Sequence, residues 1–131
     1  MKRKSKRVRS PAGRSARVRR PLRAVVHSLA EARAACGAAR GQERGVVLAS
    51  PPGAAAYLGV AYFWALTEAV RAEFPGLAIE AVMDCGDDPG HALAALRTGF
   101  TSVALGGHRG ARARVAAIAR AMGARVVARR P

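Results

Sequence analysis

Three short stretches of this sequence carry the residue types best suited to chemistry, and each follows an apolar run: Ser50–Gly53, Asp84-Cys85-Gly86, and Gly106-Gly107-His108-Arg109. A carboxylate such as Asp84 can act as a general acid or base. Cys85 as a thiolate and His108 as an imidazole are zinc ligands, with His91 the other nearby candidate. A catalytic zinc needs about three protein ligands and an open position. Gly106 and Gly107, just before a helical stretch, can bring backbone amides to a phosphate. His108, Arg109 and Arg112 add positive charge there, so the stretch reads as an anion site. Each feature also has a plainer reading. Asp84 suits a turn that caps Gly86 or the next helix, Cys85 suits a small half-buried position, and Gly106–Gly107 suits an ordinary strand-to-helix turn.

The elements that must position these residues repeat along the chain. Arg23–His27 is a short β-branched run, and Ser28 with Glu31 fits a capping box that opens a helix ending near Gly41. Gly45–Ser50 is a continuous apolar run, as in a strand buried on both faces. Ala54–Phe74 holds one or two helices, with Val60, Phe63, Trp64, Thr67 and Val70 at helical spacing and Tyr62 among the packing aromatics. Leu77–Met83 is a third strand. Asp88 can cap a helix with Pro89 in its first turn, ending at Gly99. Thr101–Leu105 is a fourth strand, and Ala111–Met122 is a helix with Val115, Ile118, Ala119 and Met122 inward. Ala124–Ala128 is a fifth strand. Cys36, mid-helix among alanines, reads as core.

Five strands alternating with helices predict an α/β fold with a parallel sheet and right-handed crossovers. Two closures fit: part of a TIM barrel, or an open doubly wound sheet. In both, the functional edge is at the C-terminal ends of the strands, where Ser28, Ser50–Gly53, Asp84–Gly86 and Gly106–His108 gather.

Charge divides the chain. Eleven of the Lys and Arg residues lie in residues 1–23, and the first acid is Glu31. From residue 24 onward the net charge is only +4, against +15 for the whole. Residues 1–22 therefore read as a disordered basic tail, and residues 23–131 as one α/β domain. Such a tail would bind nucleic acid without sequence preference and with strong salt dependence. It interleaves no aromatic residues, which argues against base stacking. No apolar run reaches the ~18 residues of a membrane span, no apolar segment of a secretory signal follows the charged start, and two cysteines make no disulfide framework. A soluble, cytoplasmic protein is expected. Aromatics are 5% of the residues, so the core rests on small aliphatic side chains and modest stability, or support from a partner, is expected.

From about Arg23 onward, the order of these pieces resembles class II (metal-dependent) fructose-bisphosphate aldolases. VVLASPPGAAAYLG is similar to that family's second-strand segment. AIEAVMDCGDDPGHALAALRTGFTSVALGGH is similar to its third strand end, the following helix and the fourth strand, with Gly99-Phe100-Thr101-Ser102-Val103 matching letter for letter. The likeness covers about four-fifths of the chain but only the first half of a full aldolase. It implies a barrel-derived fold in which Asp84 takes the catalytic acid/base position and Ser50 a substrate-contacting one. Cys85 stands where the family has a zinc-ligand histidine, and Gly106-Gly107-His108 stands where it has Asp-Gly-Ser. The resemblance with these departures gives a half-barrel, largely non-catalytic, and the anion site read from Gly106, Gly107, His108 and Arg109, with Ser50 beside it, would hold a sugar phosphate or other anion. A zinc ion at Cys85 and His108, residual lyase activity, and assembly with a second copy or a complementary half-barrel are further expectations.

Overall fold

A computed structural model describes residues 19–130. Most of the segment read as a basic tail, residues 1–18, lies outside the described residues.

Five strands form one sheet: β1 (Leu22–Val25), β2 (Val46–Ala49), β3 (Ile79–Asp84), β4 (Ser102–Ala104) and β5 (Arg125–Val127). They lie in the spatial order β1-β2-β3-β4-β5 and every pair is parallel. Between them run α1 (Leu29–Gly41), α2 (Ala54–Tyr57) with α3 (Val60–Glu73), α4 (Pro89–Thr98) and α5 (Arg109–Ala121). Each strand is shorter than the apolar run that encodes it, and β1 begins one residue inside the segment read as tail.

Alternation along the strands divides the molecule into two faces. Val46, Leu48, Ala81, Met83, Val103 and Leu105 pack with helix residues into the main core. Val47, Ala49, Val82, Ala104 and Val127 form a second cluster that includes no helix residue. All the helices therefore cover one face. Right-handed crossovers that always advance in the same direction require this. A doubly wound sheet would reverse its strand order and carry helices on both sides, so that alternative does not describe this chain. The sheet is open, with the strand succession of a βα barrel and with β1 and β5 at its edges.

Local chemistry fixes the helix starts. Ser28 Oγ accepts from Glu31 N at 3.2 Å, while Glu31 Oε1 accepts from His27 N at 2.6 Å. Asp88 Oδ1 accepts from Gly90 N at 2.8 Å, and Pro89 fills the first turn of α4. Ser28 is thus spent on its helix rather than offered at the rim. Gly59 separates α2 from α3. Phe63 and Trp64 of α3 both meet Phe100, with ring centroids 6.1 and 5.1 Å away. Arg33 on α1 forms a two-bond fork with Glu73 on α3.

Three expected core positions are exposed. Ile118 on α5 and Met122 just past its end are 44% and 50% exposed, because α5 is the last helix and has a neighbour on one side only. Tyr62 is 47% exposed: its neighbours in sequence, Phe63 and Trp64, take the inward side of α3. Val115, Ala119, Thr67, Val70 and Cys36 are buried as expected. Among the described residues no helix is long and apolar enough to cross a membrane.

Candidate functional site at the C-terminal rim of the sheet

Asp84 is the last residue of β3 and lies on the helix-free face, 6% exposed. Its Oδ1 accepts from Gly53 N at 2.8 Å, Gly86 N at 3.0 Å and Arg129 Nε at 3.1 Å, and Oδ2 stands 3.3 Å from the same Nε. Its backbone N–H donates to Ser50 Oγ at 2.7 Å. Ser50 and Asp84, read separately in the sequence, are therefore one unit. The loop after β2, the loop after β3 and the chain after β5 all converge on one carboxylate. The bond to Gly86 N is the Asx turn that an aspartate at this position favours.

The Gly106–Gly107 turn meets this unit at the same rim. Gly106 N donates to Gly86 O at 2.9 Å. A Cβ on Gly106 would sit 2.7 Å from Asp87 Oδ1, and one on Gly107, where φ is 81°, 3.0 Å from Asp87 Cβ. Gly107 is the constrained position, with positive φ and the Asp87 Cβ and backbone against it, whereas at Gly106 only the mobile Asp87 carboxylate and the Arg129 side chain stand close.

The other predicted donors diverge. Cys85 alternates to the helix side, 2% exposed, with its thiol 3.6 Å from Met83 O. Burial, with the charges of Asp84 and Asp88, pushes that thiol up to about 12. His108 is exposed and caps α5, with Nδ1 accepting from Ala111 N at 3.3 Å. His91 stands 3.5 Å from Asp88 at the start of α4. Zinc would need the Cys85 sulfur at the rim, and here it is buried on the far side of the sheet from Asp84. Among the described residues no group of three His, Cys, Asp or Glu converges as a metal site. The side chains present do not fit a zinc ion at Cys85 and His108. Arg109 is exposed in the first turn of α5. In this anion-site stretch, the Gly106 amide is already committed to Gly86 O, and Arg112 Nε to Leu105 O.

Below the rim, the helix-free face carries a second polar layer. Glu80 Oε2 accepts from Ser102 Oγ at 2.8 Å and from Arg125 Nη2 at 2.5 Å. Desolvation pushes Glu80 upward, but the Ser102 and Arg125 hydrogen bonds, with the charges of Arg125 and Arg23, outweigh it and hold the carboxyl below its usual range. Two adjoining clefts, about 310 and 320 Å³, run over this face, and both are lined by Arg23, Val82 and Arg130. The upper one reaches Ser50 and Asp84, and the lower one reaches Glu80 and Arg125. A hollow of about 450 Å³ lies at the opposite end, by Arg40 and Pro75–Ala78. In parallel α/β sheets ligands bind at the carboxyl ends of the strands, which gives the clefts the stronger claim.

Reading the sequence missed Arg129, Arg125, Glu80, Arg23 and Arg130 as participants. Alternation along Arg125–Arg129 and along Glu80–Asp84 is the signal that places Arg125, Arg129 and Glu80 on one face with Asp84; Arg130 is out of phase with it. Their pairing across ~45 residues of chain has no local signature. The chain matches no known protein family, and no curated protein matches it.

Proposed function

We propose that the domain is an aldolase-like half-barrel that binds a small phosphorylated molecule at the C-terminal rim and on the helix-free face, without lyase activity. The observation that carries this reading is the state of Asp84. Its carboxylate is bonded to two backbone amides and a guanidinium, so it braces three chain segments and is poorly placed to take a substrate proton. The clefts beside it supply what a small anion needs: cationic side chains over an apolar floor of Ala49, Val82 and Ala104. Isothermal titration with fructose 1,6-bisphosphate and dihydroxyacetone phosphate, run beside a cleavage assay, tests the reading. Binding without cleavage is expected. Cleavage that disappears in Asp84→Asn would restore the lyase reading, and absence of binding would remove this one.

A second reading rests on charge segregation: eleven cations and no acid in residues 1–23. On it the tail binds nucleic acid non-specifically. Affinity for an arbitrary duplex should fall steeply with salt and vanish when residues 1–18 are deleted. Equal binding by the truncated chain refutes it. The same half-barrel reading has two copies meet through the edges at β1 and β5.

A further inference from the structure

The helix-free face has more cations than its own carboxylates engage. Glu80 takes Arg125, and Asp84 takes Arg129, whose Nη1 also stands 3.7 Å from Asp87. Arg23 and Arg130 make no ion pair among the described residues, yet they flank the same ground, for both line each of the two clefts. Arg23 comes from the first strand and Arg130 from the chain just after the last. Between them lies the apolar strip of Val47, Val82 and Val127, partly or wholly screened from water. Both guanidiniums are exposed, come from the two edges of the sheet and border the same clefts, so an anion seated between them would relieve their mutual repulsion.

We infer that Arg23 and Arg130 form a clamp for a phosphate monoester dianion on the helix-free face. The guanidinium fork matches phosphate oxygens in paired hydrogen bonds. Glu80 and Asp84, already engaged, border the clefts with negative charge and disfavour a long polyanion, which selects a small phosphorylated molecule over a nucleic-acid backbone. Desolvation, and after it the Arg130 charge, pull Arg23 below its ordinary value while Glu80 opposes them. The clamp deepens the proposed function by naming the groups that hold the phosphate, and it shifts that role from the Gly106–Arg109 turn, where the Gly106 amide is already committed.

The test titrates inorganic phosphate into the full chain at constant ionic strength, following the arginine Nε resonances by NMR. Those of Arg23 and Arg130 should move together and saturate. In Arg23→Gln/Arg130→Gln, affinity should fall roughly tenfold or more. Arg97→Gln/Arg120→Gln removes the same charge from the helix side and should leave affinity unchanged. Arg130→Lys should retain part of it. Equal losses in the two double variants, or shifts confined to residues 1–18 or to Arg109, overturn the clamp. The sugar phosphates of the previous experiment separate the two claims. If phosphate binds at the clamp and sugar phosphates bind no more tightly, the clamp stands and the sugar-phosphate reading falls. If sugar phosphates bind equally well to the Arg23/Arg130 variant, that reading stands and the clamp falls. If neither ligand binds, both fall.

Discussion

At the residue scale, Asp84 holds the rim together through bonds to segments far apart in sequence. Removing it orphans the Gly53 and Gly86 amides and leaves Arg129 with only the more distant Asp87. Asp84→Ala should therefore lower stability by about 2–4 kcal/mol in urea unfolding, with Asp84→Asn milder because an amide oxygen can still accept. Cys85 gives a pH-dependent prediction. Its thiol stays protonated in the fold up to about 12, whereas an unfolded thiol ionises near 9. Between those values the unfolded chain binds fewer protons than the folded one, so stability falls as pH rises from about 9 toward 12. Below 9 the group contributes no pH dependence. Cys85→Ala should flatten that alkaline decline in unfolding midpoints, and in the native protein at pH 8 a thiol reagent should label neither buried cysteine until denaturant is added.

At the element scale, helix starts and one close approach set the tolerances. Asp88 satisfies two amides at the start of α4. Asp88→Ala should cost about 1 kcal/mol in the urea midpoint, and Asp88→Asn much less. At the far end of α4, Gly99 has φ 133°, and a Cβ there would lie 2.7 Å from the Trp64 ring. Gly99→Ala combines backbone strain with a clash against a ring already packed on Phe100. A loss of about 2 kcal/mol or more is expected in thermal or chemical unfolding. The Gly99-Phe100 pair that anchors the aldolase resemblance thus has its own structural reason: Phe100 fills the junction with α3, and the glycine lets Trp64 reach it.

At the scale of the whole molecule, a singly wound sheet has one dry face, one face of charges over small aliphatics, and two edges. Edge strands present unpaired backbone groups, and here Val25 on β1 is 51% exposed while Ile118 on the last helix and Met122 just after it are half-exposed. Concentration-dependent dimerisation is expected in sedimentation equilibrium and should weaken in Val25→Lys. A mass that stays monomeric at all concentrations would mean that the arginines beside the edges suffice to keep copies apart.

The sequence by itself determined the number, type and order of the elements, because each βα repeat carries local signals: an apolar run, then a capping residue, then a glycine or proline stop. It also determined that Ser50, Asp84 and Gly106–Gly107 share one rim, since successive parallel strands put all their C-terminal ends together. Only the tertiary structure decided that the helices lie on one face, because crossover direction leaves no mark on apolar periodicity. Only the fold set Arg129 against Asp84 and left Arg23 and Arg130 facing a common cleft. Those are pairings between residues about 45 to 107 positions apart, made by strand register and chain path, and no nearest-neighbour preference along the chain encodes them.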